Sequence, residues 1–181
     1  MYFPEKEITL KDGRIAVFHS PSPDDAECML QYFKTIISET PYLLRFPDEC
    51  DLDIESERAS LQKMLDSANS VMIHCTVDGK LAGSCQIDCK ALRKIRHRGS
   101  VGIALVREFW GLGIGTAMFE ELLAIARDWG LMQVELEVFE GNDRAMALYR
   151  KMGFEVVSAT PNAIRLEDGT MLKEFLMVRP L

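Results

Sequence analysis

Apolar and polar positions alternate in two periods along this chain, and each change of period marks an element. Ala26, Met29, Leu30, Phe33, Ile36 and Ile37 recur at the spacing of one helical face, which predicts a helix ending near Glu39. Asp24 or Asp25 stands where its N-cap belongs. Pro41 and Pro47 bracket an irregular loop, and a second helix is predicted over Ile54 to Ser67. Arg14 to His19 follows the Lys11-Asp12-Gly13 turn and reads as a first strand. Val71, Ile73, Cys75 and Val77 alternate up to Asp78-Gly79, a two-residue hairpin signal, with Leu81 to Cys89 as the returning strand. Arg98 to Val106 is a further strand.

The second half is more regular. Ile114, Ala117, Met118, Leu122, Ile125 and Trp129 share a helical face, and Gly130 sits where a C-terminal cap belongs. Leu131 to Phe139 alternates as a strand and leads through Glu140-Gly141 to Asn142, a good N-cap. Ala145, Leu148, Tyr149 and Met152 form a stripe on the short helix that follows, and Gly153 ends it. Phe154 to Ala159 and Met171 to Val178 close the chain as strands. Strands and helices interleave throughout, which predicts a single sheet-based α/β domain over residues 1–181.

Composition narrows the chemistry. Apolar residues are 48% and charged residues 27% of the chain, as in an ordinary globular protein. A net charge of -7 and a pI near 5.1 count against a nucleic-acid partner, which needs a basic surface, and suit a cationic substrate. Five cysteines (Cys28, Cys50, Cys75, Cys85, Cys89) form no CxxC pair, and no histidine stands at zinc-site spacing, so neither a metal nor a disulfide scaffold is expected. The start has no basic segment followed by an apolar one, and no run approaches the roughly 18 apolar residues of a membrane span. The expectation is a cytoplasmic protein with reduced thiols and no membrane partner.

The sharpest local signal is Trp110-Gly111-Leu112-Gly113-Ile114-Gly115-Thr116, between a strand and the best helix. Glycines admit close approach, and free N–H groups at a helix start attract a phosphate. A dinucleotide-binding GxGxxG would need glycine where Thr116 stands, and a P-loop would need Gly-Lys-Ser/Thr, which is absent. By itself the turn also fits a purely packing role. Asn142, Arg144-Ala145, Leu148-Tyr149 and Gly153-Phe154 follow on the next strand-helix-strand unit.

With these residues the chain resembles the GNAT family of N-acetyltransferases. The family's Arg/Gln-x-x-Gly-x-Gly/Ala motif matches Trp110 to Gly115, and its Asn...Ala...Leu-Tyr...Gly-Phe motif matches Asn142 to Phe154. The match covers about a third of the chain, and Trp110 stands where the family usually has Arg or Gln. The resemblance implies a mixed central sheet of about seven strands flanked by helices, with a splayed strand pair that binds acyl-coenzyme A. It implies acetyl-CoA as cosubstrate and no metal. The pyrophosphate would lie on Leu112, Gly113, Gly115 and Thr116, with Gly111 allowing the approach. The pantetheine arm would pair with backbone groups of Ile103, Ala104, Leu105 and Val106.

The implied chemistry is direct attack by an amine on the thioester. The Leu105 N–H would polarise the carbonyl as an oxyanion donor. Tyr149 would return a proton to the thiolate; spacing alone favours a core tyrosine, and the resemblance reverses that preference. Asn142 is a helix cap and, in the family, also a cofactor contact. Arg144 would reach a cofactor phosphate or stay on the surface. Glu137, Glu135 and Glu49 are candidates for the base, each with a structural alternative. His97 belongs to a basic run, Lys90 to Arg98, at a hairpin tip. Glu39, Asp48, Glu49, Asp51, Asp53, Glu55 and Glu57 make residues 38–59 acidic, which suits either capture of a cationic amine or a solvated helix face. The expected acceptor is a small-molecule or peptide amine, and a homodimer is compatible with the fold. The alternative is a non-catalytic acyl-CoA sensor or partner-binding module, which the lack of an obvious base motivates.

Overall fold

In the computed structural model, which describes residues 1–49 and 53–181, the alternating segments join into one mixed sheet of eight strands. In chain order these are β1 (Lys6–Thr9), β2 (Ile15–His19), β3 (Ser70–Val77), β4 (Lys80–Cys89), β5 (Arg98–Leu105), β6 (Gln133–Phe139), β7 (Glu155–Arg165) and β8 (Met171–Pro180). Their order across the sheet is β1-β2-β3-β4-β5-β6-β8-β7, with β5 and β6 the parallel neighbours. The helices are α1 (Ala26–Glu39), α2 (Ile54–Asp66), α3 (Ile114–Asp128) and α4 (Asp143–Lys151). Among the described residues no helix is long and apolar enough to cross a membrane.

Most periodicity-based boundaries hold to within two residues. The sheet has eight strands where about seven were expected, because Lys6–Thr9 pairs with β2 and makes Arg14–His19 the second strand. Four residues with two charges carry too little alternation to be seen in sequence. The final hairpin is also longer: β7 runs to Arg165, past Pro161, with two register shifts against β8. An edge strand tolerates a proline because its outer N–H has no partner to lose. Asp24 and Asp25 do not cap α1 by their side chains. Ser22 caps a 3-10 turn over Pro23–Asp25, and Asp25 answers by accepting from the Ser22 N–H at 2.7 Å.

Of the apolar stripe expected on α3, Ile114, Met118 and Leu122 are buried, while Ala117, Ile125 and Trp129 are partly buried against the core. Phe119, Leu123 and Ala126 complete the buried face, and each large side chain so buried contributes roughly 1.5–3 kcal/mol. A separate cluster of Met29, Tyr32, Ile36 and Ile37 packs α1 against Ala104 and Val106. Strand β4 carries an extra residue, Ala82, since Cys75 faces Gly83 while Thr76 faces Leu81. Just past this bulge the Tyr32 hydroxyl enters the β4–β5 ladder. It donates to the Ala104 carbonyl at 2.7 Å and accepts from the Ser84 N–H at 3.1 Å.

Candidate active site

Strand β5 pairs with β6 only through Arg98, Gly99 and Ser100. Beyond Ser100 the two strands part, and a cleft of about 550 Å³ opens between them. The register decides what faces it. Lys90 N–H bonds to the Arg98 carbonyl and Val106 N–H to the Ala82 carbonyl, so even-numbered residues of β5 turn their backbone groups toward β4, the Ala104 carbonyl meeting it through the Tyr32 hydroxyl. The odd ones, Val101, Ile103 and Leu105, turn theirs toward the gap. The Leu105 carbonyl accepts from the Trp110 indole N–H at 2.8 Å, and by the same register the Leu105 N–H points away from β4 into the gap. Ile103, Ala104 and Leu105 line the cleft, whereas the Val106 N–H is already committed to Ala82 at 2.9 Å.

At the end of β5 the chain passes through a 3-10 turn (Arg107–Phe109) into the glycine segment. Gly113 is the N-cap of α3 with φ of 99°, a left-handed conformation that a Cβ strongly disfavours. No side chain caps the helix. Among the described residues no acceptor meets the six N–H groups from Gly111 to Thr116, the first intrahelical bond being Ala117 N–H to the Gly113 carbonyl at 3.1 Å. A run of unpaired amides at a helix start holds an anion through both hydrogen bonds and the helix dipole. Leu112 contributes only backbone, its side chain packing on the core. Ile114, whose amide is equally free, was masked in sequence by its place on the core face.

Positive side chains gather round the turn. Lys11, on the β1–β2 turn, lines the cleft, and its N–H bonds to the Leu112 carbonyl at 3.2 Å. Lys151 Nζ donates to the Thr116 hydroxyl at 3.1 Å. The Arg107 and Arg144 guanidinium carbons lie 5.4 and 4.8 Å from the Trp110 ring centroid. Trp110 therefore holds two cations beside the turn, and ties strand to turn through its indole N–H. Neither lysine lies in a sequence motif, because each arrives from a distant element.

Tyr149 sits on α4 with its ring edge-on to Phe119 at 5.5 Å and tilted against Phe154 at 6.3 Å. Its body is core, 8% exposed, yet it lines the cleft and its hydroxyl has no hydrogen-bond partner among the described residues. Burial pushes its pKa up to about 12. Core tyrosine and cleft tyrosine are thus one residue. Asn142 caps α4 by accepting from the Ala145 N–H at 3.3 Å through its side chain, and it also lines the cleft. Side chains of Leu105, Ile103 and Leu148 meet over Gly115, where an added Cβ would lie 3.0 Å from Leu148 Cδ2. That contact joins β5, α3 and α4 at one point.

The three candidate bases separate clearly. Glu137 lines the cleft, and its charge helps raise the pKa of nearby Glu174, second to the effect of burial. Glu135 is buried and held by Arg98 at 2.5 Å and Lys90 at 3.7 Å. Glu49 accepts from the Phe46 N–H at 2.9 Å and stays out of the cleft. The hairpin-tip charges Lys90 and Arg98 are therefore structural, and His97 gives only its carbonyl, to Met132 N–H.

The acidic segment is also spoken for. Glu39 accepts from the Arg107 N–H at 2.7 Å, Asp53 caps α2 through the Ser56 N–H at 2.9 Å, and Glu57 is buried. Asp51, like Cys50, lies outside the described residues. None of the described acidic residues in this segment lines the cleft. Thr40, Tyr42 and Leu43 of the loop after α1 do, and Tyr42 donates to the Gly141 carbonyl at 2.7 Å, bridging the cleft from one wall to the other.

A splayed parallel strand pair whose free backbone edge runs into unpaired amides at a helix start defines a protein that holds an acyl-coenzyme A thioester. Residues 33–154, more than half the chain, match the acetyltransferase (GNAT) family, and the chain belongs to that family. It is thereby an acetyl-CoA-dependent acyltransferase. It is similar to L-amino acid N-acetyltransferase AaaT of Escherichia coli, at 24% identity over 119 residues, spanning 65% of this chain and 73% of AaaT. Its fold superposes on an acetyltransferase of the GNAT family from Streptococcus pneumoniae with a TM-score of 0.85, at 24% identity, covering 92% and 99% of the two chains. Salmonella typhimurium yncA, solved with its cofactor acetyl-CoA, has the same fold at a TM-score of 0.78 and 14% identity, covering 92% and 94%.

Proposed function

We propose that residues 1–181 form one N-acetyltransferase domain that moves the acetyl group of acetyl-CoA to a primary amine by direct attack. One observation carries this reading: the free Leu105 N–H, the unpartnered Tyr149 hydroxyl and the unpaired amides of the glycine turn all belong to one cleft. The amides of Gly111 to Thr116 take the pyrophosphate, with Lys11 and Arg144 adding charge. Ile103 and Leu105 supply the edge along which the pantetheine arm lies as an added strand, and Asn142 contacts the arm.

The amine nitrogen attacks the thioester carbonyl, and the Leu105 N–H stabilises the charge that develops on oxygen. As the carbon–sulfur bond breaks, Tyr149 gives its proton to the thiolate. A pKa of about 12 keeps that proton in place at any pH where the enzyme works. The surplus ammonium proton leaves through Glu137, directly or by way of water, since Glu135 and Glu49 are held elsewhere. Phenolate and carboxylate are then reset by solvent.

The acceptor is a small-molecule or peptide amine, and the name of the Escherichia coli relative favours an amino acid. A cytoplasmic setting fits the unpaired cysteines among the described residues, Cys28, Cys75, Cys85 and Cys89, of which burial raises the Cys75 thiol to about 12. The test is thiol release from acetyl-CoA against amino acids, polyamines and peptides, alongside calorimetric binding. Release with one amine class supports the reading. Binding without release from any acceptor refutes catalysis, and absence of binding refutes the site.

A further inference from the structure

Away from the cleft, beneath the start of α1, three side chains with metal-ligand chemistry converge. His19 and His74 are direct cross-strand partners on β2 and β3, so they project from the same sheet face, with ring centroids 5.8 Å apart. Asp25 Oδ2 lies 3.9 Å from His74 Nδ1. One ligand atom from each residue lies within 4.8 Å of the others.

His74 is the anomaly. It is 1% exposed, neither ring nitrogen hydrogen-bonds to a described residue, and Nε2 is the one buried side-chain polar atom without a partner among them. A neutral imidazole carries one donor and one acceptor, and leaving such a group bare in the interior costs about 1–3 kcal/mol. His19 is already oriented. Its Nδ1 lies 2.8 Å from the Ser20 carbonyl, which only accepts, so Nδ1 carries the proton and Nε2 the lone pair. A backbone carbonyl holding one imidazole N–H is the way ligating histidines are fixed. Nε2 now meets the Thr76 hydroxyl at 2.8 Å, a bond that threonine can yield.

We propose that His19, His74 and Asp25 bind one divalent transition-metal ion, zinc foremost, with water completing its coordination. Zinc bound to nitrogen and oxygen at about 2.0–2.2 Å sets tetrahedral neighbours about 3.4 Å apart. Side-chain rotations of about 1.4 Å or less therefore close a set spread over at most 4.8 Å. The open side of Asp25, 34% exposed, admits the ion and its water. Linear spacing hides the set, since its members lie far apart in sequence on two strands and a turn. The ion ties the start of α1 to β2 and β3. Across the sheet His74 faces Ser84 and Ser84 faces Ala104, both bonded to Tyr32 of α1, so the pinned helix is the one that braces the cofactor strand.

The test uses tag-free full-length chain stripped with chelator, then titrated with zinc by calorimetry and with cobalt by absorption. The expected result is one equivalent bound, a raised Tm, and a cobalt spectrum without a thiolate charge-transfer band. Asp25→Asn, His19→Gln and His74→Gln should each weaken zinc by more than about tenfold. Asp25→Asn keeps an oxygen for the Ser22 N–H, so the measurement survives if a histidine variant fails to fold. Absence of zinc binding, unchanged affinity in Asp25→Asn and His19→Gln, a thiolate band, or only a water beside His74 in crystals grown with zinc would each overturn the assignment.

Discussion

The two walls of the cleft are built from different materials. The wall proposed for the cofactor, from Leu105 through the glycine turn to Thr116, presents unpaired backbone amides, and side chains there mainly stay out of the way. The opposite wall, from Ile36 through Leu43 and across to Glu137, where the proposed acceptor would enter, presents side chains on a loop and on a strand that follows much later in the chain. A backbone site leaves its mark as local glycine spacing, whereas a side-chain site assembled across the fold leaves none. That difference explains why the chemistry of the donor is so much better defined than that of the acceptor.

Tyr149, where the walls meet, should give the largest effect. Tyr149→Phe should lower kcat by about 10²–10⁴-fold, the range of a general acid, while acetyl-CoA affinity changes by less than about twofold. With a phenol pKa of about 12, the wild-type rate should show no loss from deprotonation of this acid up to about pH 10. A descending limb well below that would remove Tyr149 from the role.

On the cofactor wall, Gly113→Val forces a β-branched residue into φ of 99°. It should weaken acetyl-CoA by about 30-fold or more, and calorimetry should show the loss in binding rather than in kcat alone. Affinity within threefold of wild type would mean that the amides are not the phosphate site.

Tyr32→Phe tests the brace between α1 and the cofactor strand. It strands the Ser84 N–H and the Ala104 carbonyl, a loss of about 2 kcal/mol in denaturant unfolding. KM for acetyl-CoA should rise several-fold, about 3–10, because the proposed oxyanion donor sits one residue beyond Ala104.

The smallest effect is expected where sequence pointed most visibly. Neutralising Asp48 and Glu49 together should change kcat/KM for a cationic amine by less than about threefold. Glu49 serves its own turn, and neither residue lines the cleft. A tenfold loss would restore the acidic loop as an acceptor-binding element and erase the contrast between the walls.

Much of the fold was legible because its signals are local. The α3 stripe, the Asp78-Gly79 hairpin and the Asn142 cap each need only a few consecutive residues to declare themselves. Lys6–Thr9 was too short and too charged to show as a strand, and the Ala82 bulge leaves no pattern at all.

By itself the sequence determined the family, and it singled out the glycine turn and Tyr149 that are proposed as phosphate site and acid, since glycine spacing and the Asn142-to-Phe154 pattern each lie on contiguous chain. Only the tertiary structure decided that Glu135 is an ion-pair partner while Glu137 reaches the cleft. It alone showed that Tyr32 enters the β4–β5 ladder, and that Lys11 arrives beside Gly113 from the far edge of the sheet. A side chain's role depends on what stands across from it, and strand pairing sets that over distances no local spacing encodes.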